Sequence, residues 1–170
     1  MYGVDYSLAD ELETMLGITR RNRNNVIATT AGLTDEQARW TPDGALLPII
    51  GIINHLTHME WRWIEGRYLG AEFPERTEEF VVGAERSLDE VIASYREREA
   101  RTEEVLRAAP DLGATCLGSD HGGPPAHVLL GLPGPVTLRW VGLHILEETA
   151  HHAGHADATR ELLDGTKMSG

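Results

Sequence analysis

A chain of 170 residues, 41% hydrophobic and 25% charged, can bury one core and is not disordered throughout. Its net charge of −12 repels phosphate backbones and anionic headgroups, which argues against nucleic acid and membrane partners. No apolar run approaches the roughly 18 residues of a membrane span, "MYGVDYSLADELETM" does not read as a signal peptide, and one cysteine excludes an internal disulfide framework. A single domain over 1–170 in a reducing cytoplasm is the expectation.

Four long segments read as helices. The first covers about 7–30: Ser7 opens it, Asp10 and Glu11 suit the helix dipole, and Leu8, Leu12, Leu16, Ile18, Val26 and Ile27 keep a helical period. Thr34 with Glu36 and Gln37 predicts a short capped turn, and "TPDGALLP" breaks the pattern. The second helix begins at Pro48 or Ile49 and ends at Leu69, with Gly70 as its stop. It is apolar at Ile49, Ile50, Ile52, Ile53 and Leu56, then aromatic at Trp61, Trp63 and Tyr68.

An acidic connection, "GAEFPERTEEFVVGAERS", follows. Ser87 and Glu90 form a capping box for the third helix, which runs to about Ala109 with Val91, Ile92, Tyr95 and Val105 as core residues. Its "REREARTEE" stretch reads as a solvated face. Residues 110–135 read mostly as loop, with "PDLGATCL" and "HVLLGLP" as a candidate hairpin. Cys116 lies there; it reads as a small apolar residue rather than as a nucleophile, because only His121 nearby would lower its pKa. His121 and His127 read as surface residues. The fourth helix begins at Val136 or Thr137, ends at Leu163 and is closed by "DG". Four long helices without strong strands predict an all-α, four-helix bundle.

The fourth helix holds His144, Glu147, Glu148, His151, His152 and His155 within "HILEETAHHAGHADATRELLDG". At about 100° per residue these six fall within an arc of about 140°, together with Trp140, Val141 and Leu162. This face is therefore expected to turn inward, where several ionisable groups need partners. A metal ion, a hydrogen-bonded network or a pH switch would each supply a reason. On the second helix His55 stands at the edge of the stripe formed by Ile52, Met59 and Trp63, with His58 and Arg62 beside it and Glu60 pointing elsewhere. One histidine there and an i,i+4 pair on the fourth helix would make a three-ligand site with an open position, the catalytic pattern. Spacing leaves three pairs: Glu148 with His152, His151 with His155, and His144 with Glu148.

"INHLTHMEWRW" and "LRWVGLHILEETAHHAGHADATRELLDG" resemble the DinB-like superfamily, in particular its actinobacterial branch of small stand-alone proteins; "AGLTDEQARWTPDGALLPIIGIINHL" fits the same branch. The resemblance implies a bundle with up-down-down-up order and long crossover connections. It implies a divalent metal on His55, the histidine of the "H-L" pair, and on an i,i+4 pair ending just before a small "x-G" step, which is Glu148 and His152. Many relatives carry histidine at the Glu148 position; thiol-dependent maleylpyruvate isomerases are similar to this chain in using glutamate. Zinc is the first choice, with nickel, manganese or iron as alternatives.

The resemblance further implies a low-molecular-weight thiol of the mycothiol type as cosubstrate, held on the metal as thiolate and directed at a small electrophile. His151 is then the candidate catalytic proton acceptor, ahead of His58. His58, Arg62, His144 and His155 are pocket residues. Arg62, Arg20, Arg21, Arg23 and Arg139 are candidates for polar groups of the thiol, although most read as solvated. Asp157 and Arg160 read as a local salt bridge. Trp40, Trp61, Trp63 and Trp140 divide between pocket and core, and the aromatic surplus of the second helix suggests a homodimer. The competing readings are a metal-dependent hydrolase and a non-enzymatic metal-binding or stress-linked bundle.

Overall fold

Asp10 accepts a hydrogen bond from the Glu13 backbone and caps the first helix, α1, Glu11–Ala28. The helix thus begins later than expected, and Ser7 lies outside the described residues. The computed structural model describes residues 10–42, 46–71, 79–116, 130–131 and 133–167. Thr34 and Gln37 cap α2, Asp35–Ala38, and Ser87 and Glu90 cap α4, Leu88–Ala108, both through reciprocal capping boxes. Between them runs α3, Ile49–Trp61, continued by a π-helical segment, Arg62–Tyr68. Thr137 caps α5, Leu138–Asp164. Gly70 and Gly165 follow the second and fourth long helices with φ of +75° and +79°, a conformation in which a Cβ would be strained.

The fold is all-α, as expected. Among the described residues the extended pairing is limited to one antiparallel bridge, Thr115 to Thr137. The segment of Cys116 pairs with 136–138; most of "HVLLGLP", the expected hairpin partner, lies outside the described residues. Cys116 packs against the core, and burial pushes its thiol up to about 11, opposed by Arg67. At neutral pH it is a thiol, which agrees with the apolar reading.

Helix α1 packs along α5, and α3 lies against both α4 and α5. The shared core contains Leu16, Val26, Ile49, Ile52, Ile53, Leu56, Val91, Tyr95, Leu138, Val141 and Ile145, all nearly inaccessible. Fully burying one such aliphatic side chain contributes about 1.5–3 kcal/mol, so these residues dominate the stability.

Charged residues also sit inside. Arg23, expected to be solvated, is 1% exposed and grips Glu60, which is 0% exposed. Its Nε and Nη2 donate to the two Glu60 oxygens at 3.0 and 2.7 Å, and Thr102 Oγ1 donates to Glu60 Oε2 at 2.7 Å. Burial opposes the charge on Arg23, but its neighbours together, Glu60 foremost, raise the arginine's pKa above its ordinary value. Thr102 and Glu99 are the buried members of the "REREARTEE" stretch, so that helix face is not wholly solvated. Arg160 is likewise committed to structure. Its Nη1 donates to the carbonyls of Thr29 and Ala31 at the end of α1, and its ion pair is with Asp164, not Asp157.

Burial pushes the Glu99 carboxyl above the usual range, against a hydrogen bond from Arg96 that pulls it down. A carboxyl with a raised folded-state pKa favours the fold while protonated, and that benefit is lost as pH rises through the folded value. Glu99→Gln is therefore expected to melt at a higher temperature than the parent at pH 7. The gain should vanish towards about pH 4, where the carboxyl is protonated in both states. Melting curves at several pH values check it; a variant less stable at pH 7 would show that the Arg96 contact dominates.

Candidate metal centre

His55 is brought inward by the apolar run that builds α3; its neighbours Ile52, Ile53, Leu56 and Met59 are all in the core. Glu148 and His152 stand one turn apart on α5. His55 Nε2 lies 3.8 Å from Glu148 Oε2, and His152 Nε2 lies 3.6 Å from the same oxygen. The two imidazole centroids are 4.8 Å apart. One ligand atom from each of the three residues can be chosen so that all lie within 4.8 Å of one another. Among the described residues this is the one group of three or more such side chains that could hold a metal ion.

The separations suit a shared cation better than direct hydrogen bonds. At 3.6 and 3.8 Å the contacts are too long for good N–H···O bonds. Two donors about 2.1 Å from a tetrahedral ion stand about 3.4 Å apart, so a small inward movement would complete the shell. The chemistry of the atoms agrees. Burial first, then His155 and His151, lower the His152 pKa to about 4. The ring is therefore neutral at pH 7, the state in which imidazole binds a metal.

The other residues named from the sequence are distributed unevenly. With His144 set at zero on the helical wheel, the buried residues Leu138, Val141, Ile145, Thr149, Ala156 and Thr159 centre near 100°. The inward face is thus rotated from the histidine arc and overlaps it at one edge. His152 lies inside, Glu148 is on the margin, His144 and His155 are half-buried, and His151 is exposed. Leu162, expected to point inward, is 61% exposed. His155 and His151 rings are 4.3 Å apart, and each is 5.3 Å from His152. His144 stacks on Trp140 at 4.8 Å and meets Trp63 edge-on at 4.9 Å, so it belongs to an aromatic cluster.

His58 sits with Arg62, Arg86 and Arg98 around it; burial, then these guanidinium groups, push its pKa below the ordinary value. That setting disfavours taking up a proton. The arginines considered for thiol recognition are largely engaged elsewhere. Arg62 pairs with Glu79, Arg20 with Glu103, Arg139 with Glu11, and Arg23 is the buried partner of Glu60.

Two residues around His55 escape sequence reasoning. Glu79 Oε2 is 3.0 Å from His55 Nδ1, and the Phe80 ring stacks on the imidazole at 4.3 Å. Both belong to the acidic connection, where Glu79 is one acid among several and carries no distinguishing signal. Only the docking of that segment on α3 singles it out.

The family model for mycothiol S-transferases matches residues 12–165. The chain belongs to the mycothiol S-transferase family. The matched span of this family runs from the second residue of α1 to just past α5, and includes His55, Glu148 and His152. A search of curated proteins gave no match. Among solved structures, a conserved protein from Enterococcus faecalis is similar, with a TM-score of 0.69 and 16% identity over 93% of this chain and 99% of that one. At that identity the likeness concerns the fold. No helix among the described residues is long and apolar enough to cross a membrane.

Proposed function

We propose that the protein is a metal-dependent S-transferase that joins a mycothiol-type thiol to a small electrophile. The convergence of His55, Glu148 and His152 in a member of this family carries the reading. Two histidines and a glutamate with an open fourth position are a catalytic zinc pattern, so zinc is the proposed ion. When bound, such an ion holds a thiol as thiolate, the nucleophilic form, at neutral pH.

The chain's own residues supply the rest. His55 and His152 are neutral donors, and Glu148 contributes one negative charge, which moderates the charge of the centre. His151, exposed beside His152, accepts the thiol proton and passes it to water. The sulfur then bonds to the electrophilic carbon, and the leaving group departs with the bonding pair. Trp140, one turn before His144 on α5, and Trp63, which meets it from the π-helical segment, offer an apolar wall to the electrophile.

Conjugation of a small alkylating electrophile is expected to require both the thiol and the metal. Chelated protein should lose turnover and regain it on addition of zinc. Ester or amide cleavage that persists without thiol would instead make the protein a hydrolase, and a metal-loaded protein inert to both would be the non-enzymatic bundle.

A further inference from the structure

We infer that Glu79 is a positioning residue for the metal centre, fixing the tautomer and ring plane of His55 from outside the ligand set. The inference rests on the metal reading above and extends it to a residue that never touches the ion.

Glu79 is 92% buried, an unusual place for a carboxylate unless its oxygens are used. Both are used. Oε2 faces His55 Nδ1 at 3.0 Å, and Oε1 accepts from Arg62. An ionised carboxylate accepts and cannot donate, so the proton of this hydrogen bond resides on His55 Nδ1. The lone pair of the neutral ring is then on Nε2, the atom turned towards Glu148. This is the carboxylate–histidine–metal arrangement, in which the outer acid orients the ring and raises its basicity.

The segment is anchored as a unit. Asn54 Nδ2 donates to the Glu79 carbonyl at 2.8 Å, and Arg86 in turn holds Asn54 Oδ1 at 3.0 Å. Gly51 receives the Phe80 carbonyl so closely that a Cβ there would lie 2.2 Å from its oxygen. Phe80 covers the outer face of the His55 ring, nearly parallel to it at 18°. Gly51, Asn54, His55 and Arg62 therefore line one ridge of α3 and its π continuation, and all four serve the same two-residue contact.

The test is zinc affinity of the full chain, measured by competition with a chromophoric chelator, for wild type and Glu79→Gln. Glutamine keeps the shape and removes the charge. The variant should still bind one zinc, with affinity lower by about 10- to 100-fold. Wild-type protein that binds zinc with the variant's affinity unchanged overturns the positioning role alone. Wild-type protein that binds no zinc overturns the metal reading and this inference with it. A second measurement needs no variant and covers the case in which Glu79→Gln fails to fold. Long-range proton–nitrogen NMR of the metal-free wild type should show His55 protonated on Nδ1; protonation on Nε2 would overturn the inference.

Discussion

Glu60→Ala is expected to destabilise the fold by about 3–5 kcal/mol, enough to leave a typical small domain partly unfolded at room temperature. The cause is what remains behind. Arg23 is 1% exposed, and its two donor contacts end on the carboxylate that the substitution removes. Thr102 Oγ1 loses its acceptor as well. The buried guanidinium keeps only its longer contact to Glu103, 3.5 Å from Nη1, and must drag in water or force the bundle open between α1 and α3. The double variant Arg23→Met, Glu60→Leu removes both charges and should recover most of the loss, because a buried ion pair is often no better than well-packed apolar groups. Urea melts of the single and double variants check both statements. A loss below about 1 kcal/mol in the single variant would mean that the pair is hydrated like a surface one.

His152→Ala is expected to reduce thiol conjugation by about 1,000-fold. A catalytic metal supplies several kcal/mol of transition-state stabilisation, and each 1.36 kcal/mol is a factor of ten. The substitution removes one of three donors and leaves Glu148 facing a single imidazole. A stability readout should move in parallel. Wild-type protein in zinc at about 100 times its dissociation constant gains about 2.7 kcal/mol over the chelated form. His152→Ala should show no such zinc-dependent rise in melting temperature. Initial rates and melting curves, each with and without chelator, check the pair of effects; a variant that retains both would assign the centre to other residues.

Much of the architecture is legible in the sequence because its signals are local. Thr34 with Gln37 and Ser87 with Glu90 cap helices through side chains three residues apart, and both boxes form. The apolar spacing of α3 brings His55 into the core with Ile52, Leu56 and Met59. The orientation of α5 is less legible. Its inward face is built partly from Thr149 and Thr159, which look polar but satisfy their hydroxyls on the carbonyls of Ile145 and Leu47. The histidine cluster, by contrast, looks inward by its number and lies largely at the rim.

The unread features depend on distant segments. The π-helical turn at Arg62–Tyr68 sets Glu65 against Arg98 and Arg101, and no residue within "RWIEGRY" announces it. Arg23 and Glu60 are 37 positions apart and are recognisable as partners only once α1 and α3 are packed. Glu79 is separated from His55 by 24 positions and a connection that has no period to follow.

Metal content of the untagged protein, measured by elemental mass spectrometry beside His152→Ala and His155→Ala, decides whether His55, Glu148 and His152 hold an ion. One metal per chain in the wild type and in His155→Ala, and none in His152→Ala, is the expected result. Full metal in His152→Ala with loss in His155→Ala would move the site to His151 and His155. Wild-type protein without metal after reconstitution with zinc, nickel, manganese and iron would contradict the account outright.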